Sequence, residues 1–132
     1  MMQTTPATSA KSILLVEDDD AMREVLTLLI EMETPYPTRV FQNAREVLQQ
    51  IDELKTTLPS LFLFDYALPM MTGVELYHHL HSMTEFSHIP VLFITARPLD
   101  LLDPQVNIQH LPTLLKPFET DDLVQQIETL IA

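Results

Sequence analysis

Cysteine is absent from this sequence of 132 residues, so neither a disulfide framework nor a thiolate metal site can form. That absence fits a reducing compartment, and a cytoplasmic location is the expectation. Positive charge is scarce: 7 Lys and Arg stand against 19 Asp and Glu, a formal net charge of -12. Nucleic acid and anionic membrane both reward positive charge, so neither is expected as a direct partner. No apolar run approaches the roughly 20 residues that a membrane span needs. The opening MMQTTPATSAK has no charged segment followed by an apolar block and is not a secretory signal. It is polar and rich in Thr and Ser, and residues 1–10 are expected as a disordered tail. Repeats, low-complexity tracts and linkers are missing as well, which leaves one domain over residues 11–132. With 46% hydrophobic residues, such a domain can bury roughly two thirds of the surface its unfolded chain exposes.

What is present is an alternation of short apolar runs and helical patterns. Ile13–Val16, Leu61–Phe64 and Val91–Ile94 are unbroken hydrophobic runs, too short for buried helices. They read as strands covered on both faces, as in parallel sheets. Arg39-Val40-Phe41 and Leu114-Leu115 are weaker strand candidates. Between the runs, Val25, Leu28, Leu29 and Met32 follow helical spacing, as do Ala44, Val47, Leu48, Ile51 and Leu54 behind an Asn43 cap. Thr72 and Glu75 have capping-box spacing ahead of a helix that turns Tyr77 and Leu80 inward. Leu123, Val124, Ile127 and Leu130 stripe a last helix, entered through Glu119-Thr120-Asp121-Asp122, acids suited to a helix N-terminus. The alternation predicts an α/β fold: a three-layer, doubly wound, five-stranded parallel sheet of flavodoxin-like order 2-1-3-4-5.

One segment breaks the pattern. RPLDLLDPQVNIQHLPT, residues 97 to 113, carries prolines at 98, 104 and 112. Pro98 can open a helix, but Pro104 ends it within a turn or two. The fourth connecting helix, between the fourth and fifth strands, is therefore expected to be short or missing.

Open parallel sheets bind ligands at the carboxyl ends of their strands. Glu17 and Asp18 follow the first run, Asp65 the third strand, Thr95 the fourth and Lys116 the fifth. Adjacent strands bring these groups to one pocket. Two like charges about 4 Å apart cost roughly 4 kcal/mol at an effective dielectric near 20. A cation offsets that repulsion, and an all-carboxylate set favours a hard one, Mg²⁺ or Mn²⁺. A metal, a lysine, a hydroxyl and a carboxylate nucleophile together suit phosphoryl transfer, where positioning and charge neutralisation do most of the catalysis.

At these residues the sequence resembles the response-regulator receiver domains of two-component signalling, over about Lys11 to Ala132. VEDD at 16–19 is similar to the family's acidic pair, with Arg23 at the usual distance behind it. DYALPMMTG at 65–73 resembles the phosphorylation motif, with Pro69 in the loop and Gly73 opening the next helix. ITA at 94–96 supplies the family's Thr, and LKPF at 115–118 its Lys-Pro. The resemblance implies that Asp65 accepts a phosphoryl group from a sensor histidine kinase or phosphotransfer protein. It further implies that Asp18 and Asp65 ligate Mg²⁺ directly, with Glu17 acting through water and the backbone carbonyl of Ala67 completing the set. Lys116 would neutralise the phosphoryl oxygens, Thr95 would hydrogen-bond one of them, and the Lys116-Pro117 peptide bond would be cis.

Two departures bear on output. The family usually carries an aromatic residue three positions before the lysine, where this chain has Thr113, and the fourth helix is broken. The expectation is a signal passed to another protein through a rearranged surface after the fourth strand. Three other readings compete with parts of this one. A receiver-like interaction domain that does not switch by phosphorylation is the main alternative. A phosphatase of the haloacid-dehalogenase type would need a second acid two residues after the nucleophile, and that position is Ala67. His78, His79 and His81 invite a zinc or phosphohistidine reading, but no carboxylate is spaced to orient them and they are expected as exposed helix residues. Asp19 and Asp20 read as a solvated helix N-terminus, and Met70 and Met71 as loop packing. Arg97, with Ala67, is placed to graze a phosphoryl group and tune water access.

Overall fold

In a computed structural model the described residues are 11–98 and 111–132. The expected tail at 1–10 and most of the proline-interrupted segment, residues 99–110, lie outside them. Five strands, β1 (Ile13–Val16), β2 (Thr38–Phe41), β3 (Leu61–Asp65), β4 (Val91–Thr95) and β5 (Thr113–Leu115), form one sheet of order β2-β1-β3-β4-β5. Every neighbouring pair is parallel, so the predicted topology is the observed one. Among the described residues five α-helices connect and cover it: α1 (Asp20–Glu33), α2 (Ala44–Gln49), α3 (Ile51–Thr56), α4 (Gly73–His81) and α5 (Thr120–Ile131).

β1, β3 and β4 are buried on both faces, which is why their sequences are unbroken rather than alternating, while the edge strands β2 and β5 are only partly covered. Ile13, Leu15, Leu61, Leu63, Leu92 and Ile94 pack with Leu26 and Ile30 of α1 and Leu123, Ile127 and Ile131 of α5. Leu14, Val16, Phe62, Phe64, Val91 and Phe93 pack against α2, α3 and α4 on the opposite face. Local signals set the helix starts. Asp19 Oδ2 accepts from the Met22 N–H at 2.7 Å, Asn43 Oδ1 from the Glu46 N–H at 2.9 Å, and Thr72 with Glu75 forms the predicted capping box.

Two expectations are corrected. The stripe Val25, Leu28, Met32 faces solvent, with Met32 74% exposed; of the four residues expected inward only Leu29 packs on the core. α1 carries a second apolar series, Met22, Leu26, Leu29 and Ile30, and this one meets the sheet. Spacing alone cannot choose between two overlapping stripes. The helical phase is set by the Asp19 cap and by Arg23, whose Nη1 donates to the Glu17 carbonyl at 2.9 Å. The second connection, expected as one helix over 44–54, is two six-residue helices meeting at Gln50. Gln50 has φ -105 and ψ 14, and its N–H donates to Val47 O, a tightened turn that interrupts the helix.

Candidate functional site

Because β1 and β3 are neighbours, the residues that follow their last core positions are brought side by side. Carboxylate oxygens of Glu17, Asp18 and Asp65 lie within 4.8 Å of one another. Lys116 enters from the end of β5: its backbone N–H donates to Thr95 O at the end of β4 at 2.8 Å, and its Nζ lies 3.5 Å from Asp65 Oδ1 and 3.6 Å from Glu17 Oε1. The Lys116-Pro117 peptide bond is cis, as the resemblance implied. Glu17, Asp18, Asp65 and Lys116 therefore meet, as the strand-end pattern predicts.

The electrostatics are unbalanced. One ammonium serves three carboxylates, and each lysine–carboxylate attraction at this separation is about 5 kcal/mol before desolvation is counted. Glu17 is 1% exposed, and among the described residues its Oε1 has no hydrogen-bond donor. Burial raises its pKa to about 7; the neighbouring Asp65 adds to the rise, while the Asp19 N–H on Oε2 and the Lys116 charge act against it. A buried acid with an orphaned oxygen, facing two more carboxylates, has the donor chemistry that a hard divalent cation requires. Asp65 is buried, Asp18 exposed, so the cluster opens outward on the Asp18 side.

Other expected site residues are placed around this cluster. The Ala67 N–H points to Asp65 Oδ1 at 3.4 Å, so the loop after β3 folds back over the carboxylate. Thr95 is buried, and its hydroxyl donates to Arg97 O at 2.8 Å while accepting the Arg97 N–H at 3.2 Å. Thr113 begins β5 beside Phe93, and the aromatic packed on Phe93 is Tyr77 of α4, edge-on at 5.7 Å between centroids. His78 and His79 are exposed, as expected. His81 is not: its Nε2 lies 2.7 Å from Ile89 O and its ring is 4.1 Å from that of Tyr77, so it is a half-buried packing residue. Helical spacing alone concealed this, because the partner carbonyl belongs to the segment after the helix.

One positioning residue was visible in sequence only as a motif letter. Gly73 is the sole glycine of the chain, and a Cβ there would stand 2.4 Å from the Asp65 carbonyl oxygen. Its N–H also donates to Tyr66 O at 2.9 Å. The first turn of α4 thus rests directly on the backbone that carries Asp65, an approach open only to glycine.

Known proteins are similar to this chain. The family described as the response regulator receiver domain matches residues 13–128. Response regulator Rre1 of Synechocystis is 30% identical over 126 residues, which make up 92% of this chain and 52% of Rre1. The phosphate regulon transcriptional regulatory protein PhoB of Escherichia coli is 28% identical over 127 residues, with 92% and 52% covered. The chain spans about half the length of these two relatives. Among solved structures, the signal receiver domain of a histidine kinase from Syntrophus aciditrophicus superposes with a TM-score of 0.75 at 28% identity, covering 92% of this chain and 90% of the other.

Proposed function

The chain belongs to the response regulator receiver domain family, and from that premise we propose that Asp65 is its phosphoacceptor, within a domain spanning residues 11–132. The donor is a phosphohistidine on a sensor histidine kinase or phosphotransfer protein. A carboxylate oxygen of Asp65 attacks phosphorus, and the P–N bond breaks with its electron pair going to the imidazole nitrogen. Lys116, 3.5 Å from Asp65 Oδ1, neutralises the incoming oxygens. Thr95 transfers its hydroxyl hydrogen bond from Arg97 O to one of those oxygens, which biases the end of β4 between two arrangements. Asp18 and Asp65 would hold a divalent cation directly, with Glu17 through water and the Ala67 carbonyl as further donors. Mg²⁺, or Mn²⁺, supplies charge neutralisation at the phosphoryl group when bound there.

The observation that carries this reading is the meeting of three carboxylates and one ammonium, from three separate strand ends, around an orphaned Glu17 oxygen. The chain turns over no external substrate in this role; it phosphorylates itself and slowly loses the group again. Net charge of -12 favours a protein over nucleic acid as the downstream partner, and a cytoplasmic setting fits the donor chemistry. Among the described residues no helix is long and apolar enough to cross a membrane. Val25, Leu28 and Met32, exposed on the helix that starts two residues after Asp18, give the donor protein an apolar face to dock on. Incubation with acetyl phosphate and Mg²⁺, read by intact mass, tests the assignment. One phosphoryl group is expected on the wild-type chain and none on Asp65→Asn. No adduct on the wild type, or an equal adduct on the variant, refutes it.

A further inference from the structure

A second candidate site lies on the opposite side of the loop that follows β3. Ala44, Arg45, Leu48, Gln49, Met70 and Met71 line a groove of about 330 Å³ between α2 and that loop. Its size sits at the lower end of the range for small-ligand and side-chain pockets. Leu48 and Met71 pack against the core and form an apolar floor. Met70 is held out over it: its φ of 70 lies in the left-handed region, and the side chain is 70% exposed. That backbone conformation costs a non-glycine residue about 1 kcal/mol or more, and such strain collects at binding sites. Methionine, flexible and polarizable, suits a surface that closes over a partner's apolar side chain.

The rim of the groove is charged in the sense opposite to the rest of the protein. None of the six lining residues is acidic, although the chain has 19 Asp and Glu. The neighbouring Glu46 is turned to the Gln42 N–H, which donates to its Oε1 at 2.8 Å. Of the 7 Lys and Arg, five spend their charge within the fold. Lys11 donates to Ile131 O, Arg23 pairs with Asp20, Arg39 donates to Thr57 O, Lys55 meets Glu85, and Lys116 meets Glu17 and Asp65. The Arg45 guanidinium has no hydrogen bond or ion pair among the described residues. With screening over about 8 Å at physiological salt, a ligand in the groove feels the lining Arg45 most strongly, because no acid is among the lining residues.

We propose that this groove docks a protein partner through one bulky apolar side chain followed by a carboxylate, the apolar group seated between Leu48, Met70 and Met71 and the carboxylate on Arg45. The site is separate from the acid cluster and does not depend on Asp65 being phosphorylated. A second copy of this chain is a poor occupant, because two bodies of net charge -12 repel.

The test uses the full chain labelled at its methionine methyl groups and two dipeptides of the same shape, acetyl-Leu-Asp-amide and acetyl-Leu-Asn-amide. The Met70 and Met71 methyl signals are expected to shift saturably with both, while Met22, Met32 and Met83 stay in place. The aspartate peptide should bind about threefold to fivefold tighter, the factor an exposed ion pair supplies. Arg45→Gln, an exposed position that leaves the fold intact, should bring that ratio to one. Shifts spread over all methionines, equal affinities for the two peptides on the wild-type chain, or an unchanged ratio in Arg45→Gln overturn the proposal. Shifts of Met70 and Met71 that follow protein concentration without peptide would assign the groove to self-association and overturn it as well.

Discussion

Replacing Glu17 by glutamine should make the metal-free protein more stable, although it alters a residue at the centre of the site. Glu17 is buried with Asp65 beside it and, among the described residues, no hydrogen bond to its Oε1, and its pKa rises from 4.5 to about 7. The folded protein therefore holds this proton more tightly than the unfolded chain. Below about pH 4.5 both states are protonated and nothing is lost; between 4.5 and 7 the unfolded chain ionises while the folded one does not, and stability falls as pH rises. Above pH 7 the accumulated penalty is on the order of 3 kcal/mol. Glutamine keeps the shape, its oxygen can take the Asp19 N–H that Oε2 now accepts at 3.1 Å, and its amide can donate towards Asp65. Urea and thermal unfolding followed by circular dichroism read the difference, since the chain has no Trp. At pH 8 without divalent ions the variant should melt about 10 °C higher, given typical unfolding entropies for a domain of this size. The gap should shrink towards zero at pH 5. Saturating Mg²⁺ should close the gap from the other side, because it stabilises the wild type by its binding free energy and the variant by less. A variant no more stable than wild type at pH 8, or a difference that does not change between pH 5 and 8, refutes the reasoning.

Three further outcomes follow from the same geometry. Lys116→Met removes the ammonium that sits 3.5 Å from Asp65 and 3.6 Å from Glu17; titration calorimetry should show Mg²⁺ binding more tightly, because the metal no longer competes with it, while phosphorylation by acetyl phosphate is lost. Gly73→Ala forces α4 away from the Asp65 carbonyl, now 2.4 Å from the new methyl position, and should cost about 1–3 kcal/mol in urea unfolding; an unchanged midpoint would contradict the close approach. The phase of α1 is tested by a pair: Leu26→Ala should cost about 2–5 kcal/mol and Leu28→Ala less than about 1 kcal/mol, because Leu26 is fully buried and Leu28 half-exposed.

The strands were legible in the sequence because parallel strands covered on both faces leave no room for polar residues, and Ile13–Val16, Leu61–Phe64 and Val91–Ile94 have none. The acid cluster was legible for a related reason. A strand end fixes where the next side chain goes, so residues 17, 18, 65 and 116 could be assigned to one place once strand order was known. Helix faces were less so. α1 carries apolar residues on two overlapping stripes, and it is the Asp19 cap, the Arg23 contact and packing on the sheet, none of them visible as periodicity, that turn Leu26 and Ile30 inward and leave Val25 and Met32 outside. The break at Gln50 left no mark either, since glutamine is a good helix former and no proline or glycine stands there. His81 finds its partner in Ile89 O, beyond the helix that carries it, and no periodicity reports a contact of that kind. The Arg45 groove depends on which of the seven cations stay unpaired, a property of the folded surface alone.

The Thr95 hydroxyl carries a single proton, and in the structure it is given to the carbonyl of Arg97, two residues along. Any new acceptor that claims this proton must take it from the backbone just past β4. If the phosphoryl group proposed for Asp65 supplies that acceptor, the backbone at Arg97 loses its donor by a one-for-one exchange, with no lever longer than an O–H bond.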